Sequence, residues 1–121
     1  MSWYAAHGAF YFRLKSGTQE SFSVWENVYL VRASNEEEAK LKAHQIARSQ
    51  VDPPDETLTL DGEPAELVFV GLRKIISVAH IDSSEELRSG DEITYSEFVL
   101  PSMESVKRFA AGESLKVEYL E

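Results

Sequence analysis

Three histidines and no cysteine are all that this 121-residue chain offers in the way of soft ligands or nitrogen bases. His80 and Asp82 alternate along an extended segment and so project to one side, where His7 or His44 could add a third metal ligand. The same His/carboxylate pairing could also serve as a general base. A metal site draws ligands from several elements, and nothing in the spacing brings His7, His80 and Asp82 together, so neither metal nor cofactor is expected. The chain has no Gly-x-Ser-x-Gly elbow, phosphate-binding glycine loop, dinucleotide fingerprint or paired-histidine zinc helix. Its many carboxylates fall in polar stretches, where nothing is expected to bury them and raise their pKa. No catalytic residue is assigned, and an enzyme with a His/carboxylate site ranks third among the functional readings.

The aromatic residues carry more information. Eight of the thirteen lie within the first twenty-nine positions, in two extended segments, Trp3 to Leu14 and Phe22 to Ala33, separated by Lys15 to Ser21. That pattern predicts a hairpin. If it pairs symmetrically about Thr18, the even positions from Tyr4 to Leu14 share a core face with Phe22, Val24, Val28 and Leu30. Trp3, His7, Tyr11, Trp25 and Tyr29 then gather on the opposite face. Loops or the last strand can cover such a surface; left open, it suits partner or ligand binding, because Trp and Tyr supply apolar area with a polar tip. A self-complementary face gives a homodimer, and a concave one gives a small-ligand pocket.

The elements that must position these residues follow from the same pattern. The apolar run Val28 to Ala33 ends at a helix start, with Ser34 as the expected cap, Glu37 as its capping-box partner and Glu36 to Glu38 at the positive end of the dipole. A helix over 35–50 presents Ala39, Ala43, Ile46 and Ala47 on one stripe, thin enough to sit close to a sheet. Pro53-Pro54 breaks it. Thr57 to Leu60 is a short edge strand, and Ala65 to His80 reads as a long central strand in which Gly71 marks a bulge. Glu92 to Leu100 alternates as a strand, Ser102 to Ala111 forms a second helix stopped by Gly112, and Leu115 to Tyr119 is a last strand. The expectation is one α+β domain over 1–121, a two-layer sandwich of ββαββαβ order with a mainly antiparallel sheet and both helices on one face.

Twenty-one acidic against twelve basic residues give a net charge of −9, which disfavours nucleic acid and anionic lipid surfaces. Solubility explains such acidity, and attraction of a basic protein partner is the sharper alternative. The longest apolar run, Leu67 to Leu72, is far short of the ~20 residues of a membrane span, and no leader pattern is visible. With no cysteine, a cytoplasmic protein is expected.

Four stretches together carry a resemblance: Trp3-Tyr4-Ala5, Val28 to Ala39, Phe69-Val70-Gly71-Leu72-Arg73-Lys74, and Gly90-Asp91-Glu92-Ile93-Thr94-Tyr95-Ser96. In these the chain resembles the bacterial domain-of-unknown-function family 4288, over about residues 3 to 99, with 101–121 extending past it. The resemblance implies a bacterial cytosolic origin and brings no activity, substrate or site residue. The leading functional reading is therefore a non-enzymatic interaction module, self-associating or binding a basic protein partner, followed by a small-ligand-binding regulatory domain. Trp3, His7, Tyr11, Trp25 and Tyr29 are the candidate contact residues.

Overall fold

The computed structural model describes residues 1–82 and 86–120, with the backbone alone over 79–82. Its elements in chain order are β1 (Ser2–Leu14), β2 (Val24–Ala33), α1 (Glu36–Ser49), β3 (Thr59–Leu60), β4 (Glu63–Asp82), β5 (Phe98–Val99), α2 (Met103–Ala110) and β6 (Glu118–Tyr119). The main sheet is antiparallel with strand order β2-β1-β4-β3, and β5 and β6 form a separate two-stranded ladder. The fold is α+β. The expected central strand, β4, is central only at its start, because β3 covers it through Thr59 and Leu60 alone. β1 is the strand flanked along its length.

The first hairpin forms, one residue out of the predicted register. Tyr4 faces Val31, Ala6 faces Tyr29 and Phe10 faces Trp25, so every side chain of β2 lies on the face opposite to the one expected. The connection is not the symmetric turn assumed. Gln19 folds back into the strand end, its amide donating to the Phe12 carbonyl at 2.7 Å and accepting from the Leu14 amide at 3.2 Å.

One sheet face packs on α1 through small residues. Ala6, Val31, Ala33, Ala39 and Ala43 are buried together, with Tyr4, Tyr29, Ile46, Leu72 and Ile75 closing around them. The alanine stripe lets the helix approach closely. Leu72 and Ile75 are three residues apart, and a regular strand would put them on opposite faces. A bulge between the pairs His7–Lys74 and Gly8–Leu72 leaves Arg73 as the extra residue and brings both to α1; a second bulge does the same at Val70. The bulge suggested by Gly71 is therefore present on both sides of it.

The α1 cap sits one residue beyond the position predicted. Asn35, not Ser34, accepts from the Glu38 amide at 2.8 Å, and Glu38, not Glu37, reaches back to the Ser34 amide at 3.1 Å. β2 ends at Ala33, and the chain uses Ser34 to turn out of the strand before Asn35 caps the helix. At α2 the reading holds: Ser102 caps the start, and Gly112 at φ +80° ends the helix. There the amides of Gly112 and Glu113 donate to the carbonyls of Phe109 and Arg108, the paired bonds of a Schellman stop.

The expected pairing of both helices on one face is not what the contacts give. β5, α2 and β6 form a unit of their own around Phe98, whose ring lies 5.1 Å from Phe109 and 5.0 Å from Tyr119. This C-terminal unit meets the sheet on the face opposite α1. With eight residues, none of them buried, α2 has no alanine stripe with which to lie close on a sheet.

Candidate functional site

Where the C-terminal unit crosses the sheet, the odd-numbered face of β1 holds a connected set of polar side chains. His7 is its centre, 1 % exposed. Its Nδ1 lies 2.5 Å from Glu26 Oε1 on β2, and its Nε2 lies 2.6 Å from Thr94 Oγ1 in the segment leading to β5. Glu26 also takes the Arg73 guanidinium, with Nη2 donating to Oε1 at 2.9 Å and Nε donating to Oε2. Arg73 lies over the Tyr119 ring, 4.1 Å from its centre, and donates to its hydroxyl. Beside it, the buried Lys74 donates to the Tyr95 carbonyl and lies 4.7 Å from the Tyr95 ring centre.

Each position has a local cause. Period-2 alternation puts His7 on the face away from α1, and the bulge turns Arg73 toward Glu26 on that same face. The paired Arg73 guanidinium, aided by His7, pulls the Glu26 carboxyl down to about 2, and the hydrogen bond to Glu26 in turn raises the Arg73 pKa. Tyr119 is lowered, first by its hydrogen bond to Ser96 and then by Arg73. An ionised Glu26 can only accept, so His7 carries its proton on Nδ1, and in the neutral ring Nε2 accepts the Thr94 hydroxyl.

Hydroxyl, imidazole and carboxylate in that order are the parts of a proton relay. Here the same atoms clasp a segment. A groove reaches the network at Arg73 and Lys74, and the Glu26 charge is shared with Arg73. What the network does physically is hold Thr94, Tyr95 and Tyr119 against the sheet and satisfy polar groups buried beneath them.

Of the five residues singled out from the sequence, the structure keeps Trp3, His7 and Tyr11 on this face and carries Trp25 and Tyr29 to the α1 side. Tyr29 closes over the alanine core. Trp25 meets Phe12 edge-on at 4.9 Å and stays 54 % exposed. Tyr11 meets Phe22 at 5.7 Å, and the Trp3 indole nitrogen is buried with no partner among the described residues. The side chains of His80 and Asp82 lie outside the described residues, as therefore does their convergence with His7. Among the described residues no group of three acidic, histidine or cysteine side chains could hold a metal. Glu26, Arg73 and Thr94 were not singled out beforehand. The one available signal was a basic pair, Arg73-Lys74, interrupting the most apolar strand.

The fold and its polar network define a small α+β domain whose C-terminal unit is fastened by side-chain chemistry across a sheet. By sequence it belongs to the domain of unknown function family DUF4288, whose model matches residues 3–94. That span takes in His7, Glu26, Arg73, Lys74 and Thr94 and stops short of Tyr119. No curated protein matches the chain, and no solved structure does. Among the described residues no helix is long and apolar enough to cross a membrane.

Proposed function

We propose that this domain is a non-enzymatic self-association module, in which the polar network holds the C-terminal unit so that its apolar face meets a second copy of the chain. The observation that carries this is surface area. The chain exposes 8624 Å², whereas a compact monomer of 13.7 kDa exposes about 6,600 Å². The excess of about 2,000 Å² exceeds the roughly 800 Å² that each partner gives to a standard interface.

Much of the apolar part of that surface is on the C-terminal unit. Met103 is 68 % exposed, and Val99, Val106, Phe109, Val117 and Leu120 are also open. Such a helix stripe has no core of its own to cover. Charge supports a second copy as the occupant. Residues 98–120 carry Lys107, Arg108 and Lys116 against Glu104, Glu113 and Glu118, so the repulsion expected from a net −9 is not centred on this unit. Trp25, Phe22 and Val24, exposed at the hairpin end, supply a second anchor region; His7 acts from beneath.

Sedimentation velocity across micromolar to near-millimolar concentrations tests the reading. Wild type should sediment as a dimer at the upper end, and Met103→Glu with Val106→Glu should sediment as a monomer with unchanged circular dichroism. A wild type that stays monomeric throughout overturns self-association. So does a dimer that the double variant leaves intact.

A further inference from the structure

Beyond β3, no strand among the described residues pairs with the outer edge of β4. The last ladder partners of β3 are Glu63 and Pro64, followed by one bond from the Ala65 amide to the Leu58 carbonyl. From Glu66 onward, among the described residues, β4 pairs only with β1. Alongside this open edge, between it and the C-terminal half of α1, runs a groove of about 360 Å³. Val51, Pro54, Leu67 and Phe69 give it apolar walls, and His44 and Arg48 line it from the helix.

The charges there differ from those of the whole chain. Arg13 is paired with Glu66 at 2.6 Å, which leaves Arg48 as a guanidinium with no ion pair or side-chain hydrogen bond among the described residues. His44 has its ring edge-on to Phe69 at 5.7 Å and no hydrogen-bond partner among the described residues. An open strand edge offers backbone donors and acceptors, apolar walls take alternate side chains, and an unpaired cation takes an anion.

We infer that this groove receives an extended peptide segment of another protein, added as a strand to β4 at Glu66–Phe69, with apolar side chains toward Leu67 and Phe69 and an acidic group on Arg48. The bulge at Val70 ends the regular ladder and limits the addition to a short segment. A bulge also blunts the sheet-to-sheet stacking that a longer straight edge would invite. A strand of opposite charge pattern would set a cation against Arg48. The site is separate from the apolar face of the C-terminal unit and stands whether or not the domain self-associates.

The probe is a fluorescein-labelled synthetic peptide of alternating Val and Glu, titrated against the full chain by anisotropy and by amide NMR shifts. Binding should move amides in the Glu66–Phe69 stretch and around His44. Three controls should each weaken it by about tenfold or more, the loss of a charge-assisted or backbone hydrogen bond: a Val/Lys peptide, a Val/Glu peptide N-methylated at alternate amides, and the Arg48→Glu variant. Arg48 is exposed and unpaired, so the variant folds, as circular dichroism would verify. Equal binding of the N-methylated peptide overturns strand addition, and equal binding by Arg48→Glu or of the Val/Lys peptide overturns the acidic specificity. No binding of the Val/Glu peptide, or the same amides shifting on protein dilution alone, overturns the proposal in favour of an empty edge or a second copy.

Discussion

Replacing Glu26 with Gln removes one charge from the centre of the clasp while keeping an acceptor for His7. The wild-type carboxyl drops from 4.5 to about 2, and at about 1.36 kcal/mol per unit that is a ceiling of about 3 kcal/mol. Glu26 keeps 31 % of its side-chain exposure, so solvent screening brings the expected loss to about 1–2 kcal/mol. The sign follows from linkage. A carboxyl whose folded pKa lies below its unfolded value contributes stability that is fully present above pH 4.5 and disappears as pH falls through about 2. Urea denaturation of both proteins at neutral pH and at steps down to strong acid should show wild type the more stable at neutral pH. The gap should close across that acid window. A constant gap, or equal midpoints at neutral pH, would refute the view that the Arg73–Glu26–His7 contact contributes through its charge.

Three further outcomes test the local structure. Asn35→Ala should cost about 1 kcal/mol by urea denaturation, the usual value of a cap, while Ser34→Ala should cost little because its side chain does not cap. Gly112→Ala puts a Cβ at φ +80° and should lower stability by about 1 kcal/mol, read as loss of α2 ellipticity at moderate temperature. A Cβ at position 8 would lie 3.3 Å from the Tyr29 ring and 3.4 Å from the Phe10 ring, so Gly8→Val should overpack that face by about 1–3 kcal/mol; a thermal midpoint equal to wild type would mean that the rings yield.

How much of this was legible beforehand depended on whether the signal was local. The hairpin, both helices, the Gly112 stop and the apolar stripe of α1 rest on residues within a few positions of one another. The β2 register did not, because it depends on the fold of the whole 15–23 connection, in which Gln19 bonds back to Phe12 and Leu14, and a one-residue offset exchanges whole faces. That offset carried Trp25 and Tyr29 away from Trp3, His7 and Tyr11. The clasp was out of reach for a related reason: His7, Glu26, Arg73 and Thr94 come from four separated segments, and Arg73 faces the others only because a bulge turns it. The side of the sheet taken by α2 was equally invisible, since an apolar stripe states that a helix wants cover and not where it will find it.

The position of β1 also bears on how the chain reaches this structure. Its main partner is β4, so Leu14 waits for Ala65 and Ser2 for Asp82. Pairings that distant give a high contact order and slow closure, because the intervening loop must lose its freedom before any ladder bond compensates. During synthesis the first hairpin and α1 leave the ribosome well before the second flank of β1 exists, and one edge of an apolar strand stands open throughout that interval. Nascent chains halted before residue 65 should therefore seek chaperone binding, and those halted after β4 should not.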